Sequence, residues 1–458
     1  MQTATEALTE VLFAHIDSPR LGRAEEAIRL NLLDTLGCGL YGATQPEADR
    51  LLKAADAFSP ILPGSPQSGV RVWGTDKTYP ADIAALLCGT LCHLRELDDV
   101  HYSVLHTGAV CAPAAVAVAI WEDRTLADLL RAFACGVEAM ARISLGMDYA
   151  NHRERGWHGT ATCGAFGAAV ATALLLDLDA SQIVQALGLA GSRTGGTWAF
   201  AADGAMSKRL HPGLAAQSGM IGAYLAAQGV TGPRYILEHT DGGFYPTMSK
   251  SWSIENLLDT TEGLAIERMD YKPYAACKSV HASLEASIEL AGRMAGRTPA
   301  DIREVLVETS ASSLRMAGQM YDPALVMSAQ LSIPYGVALG LTGRTGDATD
   351  YAPSVIGDES LHRLAGKVVM RESEECNKLR RELHKTTARV TVRFEDGSEL
   401  SAWVTDPLGT SGHPLGREGL VAKFRKLAGC ALPAEKVSIL ENQVLNGPGE
   451  LRVRDLSL

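Results

Sequence analysis

Five stretches of this sequence gather side chains that can carry protons or hold anions. The first is His93-Leu94-Arg95-Glu96-Leu97-Asp98-Asp99-Val100-His101-Tyr102, followed by His106-Thr107-Gly108. It places three carboxylates and three histidines within fourteen residues. Imidazole and carboxylate are common metal ligands, so a metal centre is one reading. HExxH is absent, however, and the next segment is apolar rather than a second ligand donor. The spacing therefore favours a metal-free acid/base or substrate site, with a capped helix start at Thr107-Gly108 as the structural alternative. The second stretch, Arg153 to His158, leads into a small-residue helix from Gly159. Backbone N–H groups at such a start favour anions, and a solvated charged turn accounts for the composition equally well.

The third stretch runs from Asp203 to Gly213 and contains Lys208, Arg209 and His211, with Arg193 nearby. A lysine beside another cation is disfavoured in its charged form, which moves it toward the working range of a base. GxxxxGK[ST] is absent, Gly188, Gly191, Gly195 and Gly196 do not match GxGxxG, and SxxK is missing. Neither a nucleotide cofactor nor that serine nucleophile is expected. The fourth stretch, Tyr271 to His281, and the fifth, Gln330 to Tyr335, are weak singly, because a lone His or Tyr on a helix is more often a core residue.

These residues need elements to position them. Through about residue 265 the apolar period is helical, as with Ala24, Ile28, Leu32 and Leu36 on one face. Segments 109–121, 125–146, 159–176 and 213–229 carry small residues on several faces and belong inside a multi-helix bundle. After Met269 the texture changes. A helix over 279–294, a strand over 304–309 and a helix over 324–341 precede a hairpin. There Val390, Val392 and Phe394 alternate, Asp396-Gly397 turns, and Leu400, Ala402 and Val404 return. From about Gly416 the pattern is helical again. The expected fold is mainly α: a large all-α helical domain (1–268 and 412–458) with an inserted smaller α+β lid domain (269–411).

Composition bounds the function classes. The chain has 458 residues, 46% hydrophobic and 21% charged, and a formal net charge of −11. That is a folded globular composition with no global pull toward nucleic acid or an anionic membrane. Nine cysteines without a CxxC pair read as small buried hydrophobes in a reducing compartment. No uncharged stretch reads as a membrane span, and no cation precedes Arg20 to form a leader, so a cytoplasmic location is expected.

Taken in order, the clusters resemble the MmgE/PrpD family over nearly the whole chain. The landmarks are Asn31 to Gly37, Leu97-Asp98-Asp99 with His106, Gly156-Trp157-His158, Asp203 to Gly213, Lys272-Pro273-Tyr274 with Ser279-Val280-His281, and Ser332-Ile333-Pro334-Tyr335. The resemblance implies a cofactor-free homodimeric enzyme with a helical domain, a lid, and an active site in the cleft between them. Its substrate would be a small di- or tricarboxylate. Carried over by position, the catalytic pair falls on His106 and Lys208, and other site residues on Glu96, His158, His281 and Tyr335. We assign His106 and Lys208 to proton transfer, His158, His281 and Arg209 to holding carboxylates, and Tyr335 to a hydrogen bond or proton delivery.

The sequence departs from the family pattern at Val100, where Thr is frequent, at Thr107, where Pro is common, and at Glu96, where a shorter Asp occurs. The leading expectation is a lyase that dehydrates a citrate- or 2-methylcitrate-like acid or decarboxylates a cis-aconitate-like acid. The alternatives are an isomerase that epimerises a dicarboxylate such as iminodisuccinate, and a non-catalytic binder of small molecules. If His281 and Tyr335 sit on the lid and Lys208 and His106 on the body, closure assembles the site.

Overall fold

Helices rich in alanine, glycine and threonine can approach one another on every side, and the centre of the molecule is built from them. The computed structural model describes residues 2–16, 18–59 and 69–458. In it every residue of the Gly159–Leu175 helix is buried. This helix packs against Leu126–Leu145, Gly108–Trp121 and Ser207–Ala227, and the last of these also packs on Ala81–Cys92. That crossing is close because both partners present glycine: a Cβ on Gly89 would lie 2.8 Å from the Cα of Gly213.

The Ser207–Ala227 helix begins six residues before the segment expected from the sequence. Pro212 and Gly213 read as a boundary, yet Pro212 lies inside the helix and only removes the N–H that would reach the Lys208 carbonyl. Lys208, Arg209 and His211 thus occupy the first turns of a rigid helix rather than a loop. The Leu126–Leu145 helix starts at a capping box formed by Thr125 and Asp128.

A second hydrophobic core gathers residues between 275 and 402 around a four-stranded sheet, joined by Cys38, Leu97 and Leu427 of the helical body. Its order is Val368–Glu372, Ile302–Thr309, Ala388–Phe394, Glu399–Val404, with the first pair parallel and the others antiparallel. The hairpin forms with Val392 opposite Leu400 and with Gly397 at φ +83° in the turn. The Lys278–Gly292 helix covers the sheet. The expected helix over 324–341 is instead two, Val326–Gln330 and Ile333–Leu341. The break occurs because the Ser332 hydroxyl caps the second helix, accepting from the Tyr335 N–H at 3.3 Å, a contact worth about 1 kcal/mol.

Helices Gly416–Ala428 and Ala434–Asn446 return to pack on Glu25–Ala43 in the helical body. With twenty-two α-helices and only small sheets among the described residues, the fold is mainly α with a smaller α+β region. No described helix is long and apolar enough to cross a membrane. Eight of the nine cysteines are buried, whereas Cys430 is exposed just after the Gly416–Ala428 helix, its thiol donating to the Lys426 carbonyl at 3.5 Å.

Candidate active site

The loop between Ala81–Cys92 and Gly108–Trp121 is held from several sides. Its short strand Val100–His101 pairs antiparallel with Met269–Asp270, which leads into the second core. Asp99 accepts from the Gly108 N–H at 3.0 Å, from the Thr107 hydroxyl at 3.2 Å and from the Asn31 amide at 3.1 Å, and so anchors the helix start. Lys423, from the C-terminal helix Gly416–Ala428, donates to the Leu97 carbonyl at 2.6 Å and lies 2.7 Å from an Asp34 carboxylate oxygen.

Glu96 projects from this loop with a left-handed φ of +52° and is 1% exposed. Lys208 and Arg209 both close on its Oε1, and Lys272 Nζ donates to Oε2 at 3.1 Å. Burial alone pushes the Glu96 carboxyl up, but Lys208, Lys272 and Arg209 together hold it well below the usual carboxylate range. Burial pulls Lys208 below the ordinary lysine value, and the neighbouring Arg209 and Lys272 add to this against Glu96. Lys272 moves the other way: Glu96 and Asp98 outweigh its burial and raise it. One carboxylate thus gathers three cations, with Asp98 as a second negative neighbour of Lys272.

Imidazoles line the other side. His106 Nδ1 lies 2.8 Å from the Asp99 carbonyl and 3.2 Å from Asp98 Oδ2. Both partners are acceptors, so the neutral ring carries its proton on Nδ1 and leaves Nε2 as a free lone pair. His93 Nδ1 likewise meets Asp98 at 2.7 Å, and its ring centroid is 4.6 Å from that of His106. Burial lowers His93 to about 3 despite Asp98. His158 sits at the start of Gly159–Leu175, shares a 2.9 Å Nδ1–Nδ1 hydrogen bond with His211, and is pushed well below the ordinary histidine value by burial and then by His211 and Lys208. His281, on the Lys278–Gly292 helix, donates from Nε2 to the Ala276 carbonyl at 3.0 Å. It too is lowered to about 3, by burial and then by Lys272.

The structure therefore brings Glu96, His106, His158, Lys208 and Arg209 together from the helical body, and His281 joins them from the second core. Arg209 is committed within the protein, to Glu96, to the His93 carbonyl at 3.0 Å and to Gln330 Oε1 at 2.9 Å. Tyr335 is placed elsewhere: its hydroxyl donates to the Asp350 carbonyl at 2.6 Å, and its ring packs between Tyr321 and Tyr351 in the second core. Sequence reasoning placed His93, Asp98, Lys272 and Gln330 within its clusters and landmarks but gave none of them an individual role. The one local signal was a lysine set among Tyr271, Pro273 and Tyr274, where a charge needs a buried partner.

Among the described residues, His93, Asp98 and His106 are the group whose donor atoms converge closely enough for a metal ion, all within 4.8 Å of one another. Asp98 Oδ2 already bridges His93 Nδ1 and His106 Nδ1, whereas His93 Nε2 and Asp98 Oδ1 are buried without a hydrogen-bond partner, and Lys208 and Lys272 press on the same cluster. The arrangement is that of an oriented acid/base pair facing cations. It can remove a proton next to a carboxylate while lysine charge stabilises the enolate that develops.

Comparison with known proteins agrees with this architecture. The MmgE/PrpD N-terminal domain model matches residues 10–256 and the MmgE/PrpD C-terminal domain model matches residues 274–446. The chain is 29% identical to cis-aconitate decarboxylase of Aspergillus terreus, over 94% of this chain and 90% of that protein. It is 26% identical to 2-methylcitrate dehydratase of Cupriavidus necator, over 92% of this chain and 89% of that protein. With human cis-aconitate decarboxylase it shares 29% identity over 53% of this chain and 51% of the relative. Since the two domain models span the helical body and the α+β region alike, the chain belongs to the MmgE/PrpD family.

Proposed function

We propose that the protein is a lyase acting on a small di- or tricarboxylate, by decarboxylation or dehydration, through proton transfer at the carbon beside a carboxylate. The observation that carries this reading is His106, whose Nδ1 is fixed by the Asp99 carbonyl and Asp98 on the same loop whose Glu96 gathers Lys208, Arg209 and Lys272. The names of the relatives, decarboxylases and dehydratases of such acids, support the same class.

In this reading His106 and Lys208 form the proton-transfer pair. His106 Nε2 takes or returns the proton on carbon, and Lys208, whose charge is weakened by burial and by Arg209 and Lys272, can act as its counterpart acid. Lys272 faces a substrate carboxylate from the segment leading into the second core and His158 from the body, His281 lines the site with its Nε2–H held by the Ala276 carbonyl, and Glu96 keeps the three cations from repelling one another. Every group this step requires is a side chain of the chain itself.

Incubation with cis-aconitate, citrate and 2-methylcitrate, followed by proton NMR in deuterium oxide, tests the proposal. New vinyl signals are expected from at least one acid. Deuterium uptake with unchanged connectivity would make the protein an isomerase, and inert spectra for all three acids would overturn the reading.

A further inference from the structure

Two buried imidazoles of the site meet nitrogen to nitrogen. His158 caps the start of Gly159–Leu175, and His211 lies in the second turn of Ser207–Ala227. Their Nδ1 atoms are 2.9 Å apart, and the residues are 3% and 8% exposed. At that distance the two atoms hold one proton between them. Two protons would set N–H against N–H, and none would set lone pair against lone pair. The tautomers of the rings are therefore tied together: a neutral ring that accepts at Nδ1 must carry its own hydrogen on Nε2.

The surrounding chain fixes both rings. The His158 N–H donates to the Gly196 carbonyl at 3.0 Å, and Trp157 bridges to Thr197. The short turn Trp198–Ala202 then sets Trp198 and Phe200 edge-on against His158, with centroids at 5.4 and 5.8 Å, and Phe200 against His211 at 5.8 Å. Gly196 packs over His211, where a Cβ would lie 3.5 Å from Nδ1. Ring centroids 4.6 Å apart from His106 to His93, 6.2 Å from His93 to His158 and 5.1 Å from His158 to His211 connect this pair to the proposed base.

The environment also favours one direction for the shared hydrogen. Lys208 precedes His211 by three residues on the same helix, so the two side chains are neighbours on one face. A cation beside His211 favours a lone pair over an N–H on its outer nitrogen, which leaves the hydrogen on Nδ1. Burial lowers His158 further than His211, which is lowered to about 4, so the proton of the pair belongs with His211. A carboxylate only accepts hydrogen bonds, and a ring that holds one must present an N–H.

We propose that His211 is a positioning residue: its Nδ1–H donates to His158 Nδ1 and fixes the hydrogen of His158 on Nε2, making His158 an uncharged N–H donor to a substrate carboxylate. The inference rests on the carboxylate-acting reading above. His158 then orients the acid by direction, while the lysines hold it by charge.

The full chain, carrying histidine labelled with heavy nitrogen, tests this by long-range proton–nitrogen NMR at neutral pH, with His158→Gln and His211→Phe spectra assigning the two rings. His158 is expected as the Nε2–H tautomer and His211 as the Nδ1–H tautomer. His211→Phe keeps a ring and deletes the donor, so the single tautomer of His158 should be lost. His211→Asn puts an amide donor where Nδ1 was and should restore it. Tricarballylate, a saturated acid without a route to product, should bind about tenfold more weakly to His211→Phe and recover most of that loss in His211→Asn, as measured by calorimetry. A His158 ring with its hydrogen on Nδ1, an unchanged His158 tautomer in His211→Phe, equal loss of affinity in both variants, or no binding of tricarballylate by the parent would overturn the proposal. Turnover assays keep the two readings apart. A His211-dependent tautomer and tricarballylate binding in a protein that converts none of the three acids remove the lyase reading alone, and turnover with the opposite tautomer removes the positioning role alone.

Discussion

Gln330 and Arg209 join the two parts of the molecule. The Arg209 Nη2 donates to Gln330 Oε1 at 2.9 Å, while Gln330 Nε2 donates to the carbonyls of Arg95 and Ala275, each at 2.9 Å. One buried amide thus ties the helix of Lys208, the loop of Glu96 and the segment leading to His281. Gln330→Leu leaves one donor and two acceptors buried without partners, each costing about 1–3 kcal/mol. A clear drop in the urea midpoint is expected, and an unchanged midpoint would mean that the amide does not join the two parts.

Replacing His106 should remove chemistry and spare the fold. The side chain is 12% exposed and lies at the edge of the cluster, so His106→Asn should change stability by no more than about 1 kcal/mol. Turnover should fall by about 10²–10⁴-fold. Steady-state kinetics with the best substrate from the NMR screen checks this; near-normal kcat would take the residue out of the proton-transfer pair.

Tyr335→Phe should do the reverse. Its hydroxyl spends its proton on the Asp350 carbonyl inside the second core, so the variant loses one hydrogen bond, about 1 kcal/mol. Its kcat/KM should match that of the unmodified protein. A hundredfold loss of kcat with an intact fold would return the phenol to the reaction.

Glu96→Gln removes the charge that Lys208, Arg209 and Lys272 share. Breaking a buried ionic arrangement from one side costs about 3–5 kcal/mol, because the partner charges stay behind. Thermal unfolding should show this directly, and a variant as stable as the parent would show that the three cations do not depend on this carboxylate.

The stability of the protein should decline on mild acidification. Burial lowers His93 and His281 to about 3 and His211 to about 4, from an ordinary 6.5. These rings stay neutral in the folded chain while the unfolded chain takes up protons near 6.5, so the unfolded state binds more protons as pH falls below that value. Glu96 and Asp98, held well below their ordinary 4.5 and 3.8, add to the loss at lower pH. Urea midpoints at pH 7, 6 and 5 should fall in that order, and a flat or rising series contradicts the burial of neutral imidazoles.

Much of this was legible in the residues themselves. Val390, Val392 and Phe394 alternate because one face of their strand is buried, so the period of two appears directly in the sequence. The small-residue helices were visible for the same reason, since a segment buried on every side cannot afford bulk. Two boundaries were misplaced where a single residue carries two meanings. Pro212 reads as a stop but is tolerated near a helix start, and Ser332 lies in an apolar run but caps a new helix. In the site, His106 and Lys208 stand in recognisable clusters. Gln330 and Lys272 lie in the weaker stretches and their roles were not legible, because what gives them meaning is a partner 121 or 176 positions away.

The left-handed backbone at residue 96 constrains what the chain can tolerate there. A φ of +52° disfavours an ordinary side chain by about 1–2 kcal/mol, and glycine would relieve it. Glycine would also delete the only negative group on which the two lysines and the arginine all close. Asparagine would suit the turn and fail on charge. Conformational ease and electrostatic need therefore oppose each other at a single position, and only an acidic residue settles the conflict, with the extra methylene of glutamate over aspartate setting how far the anchor reaches.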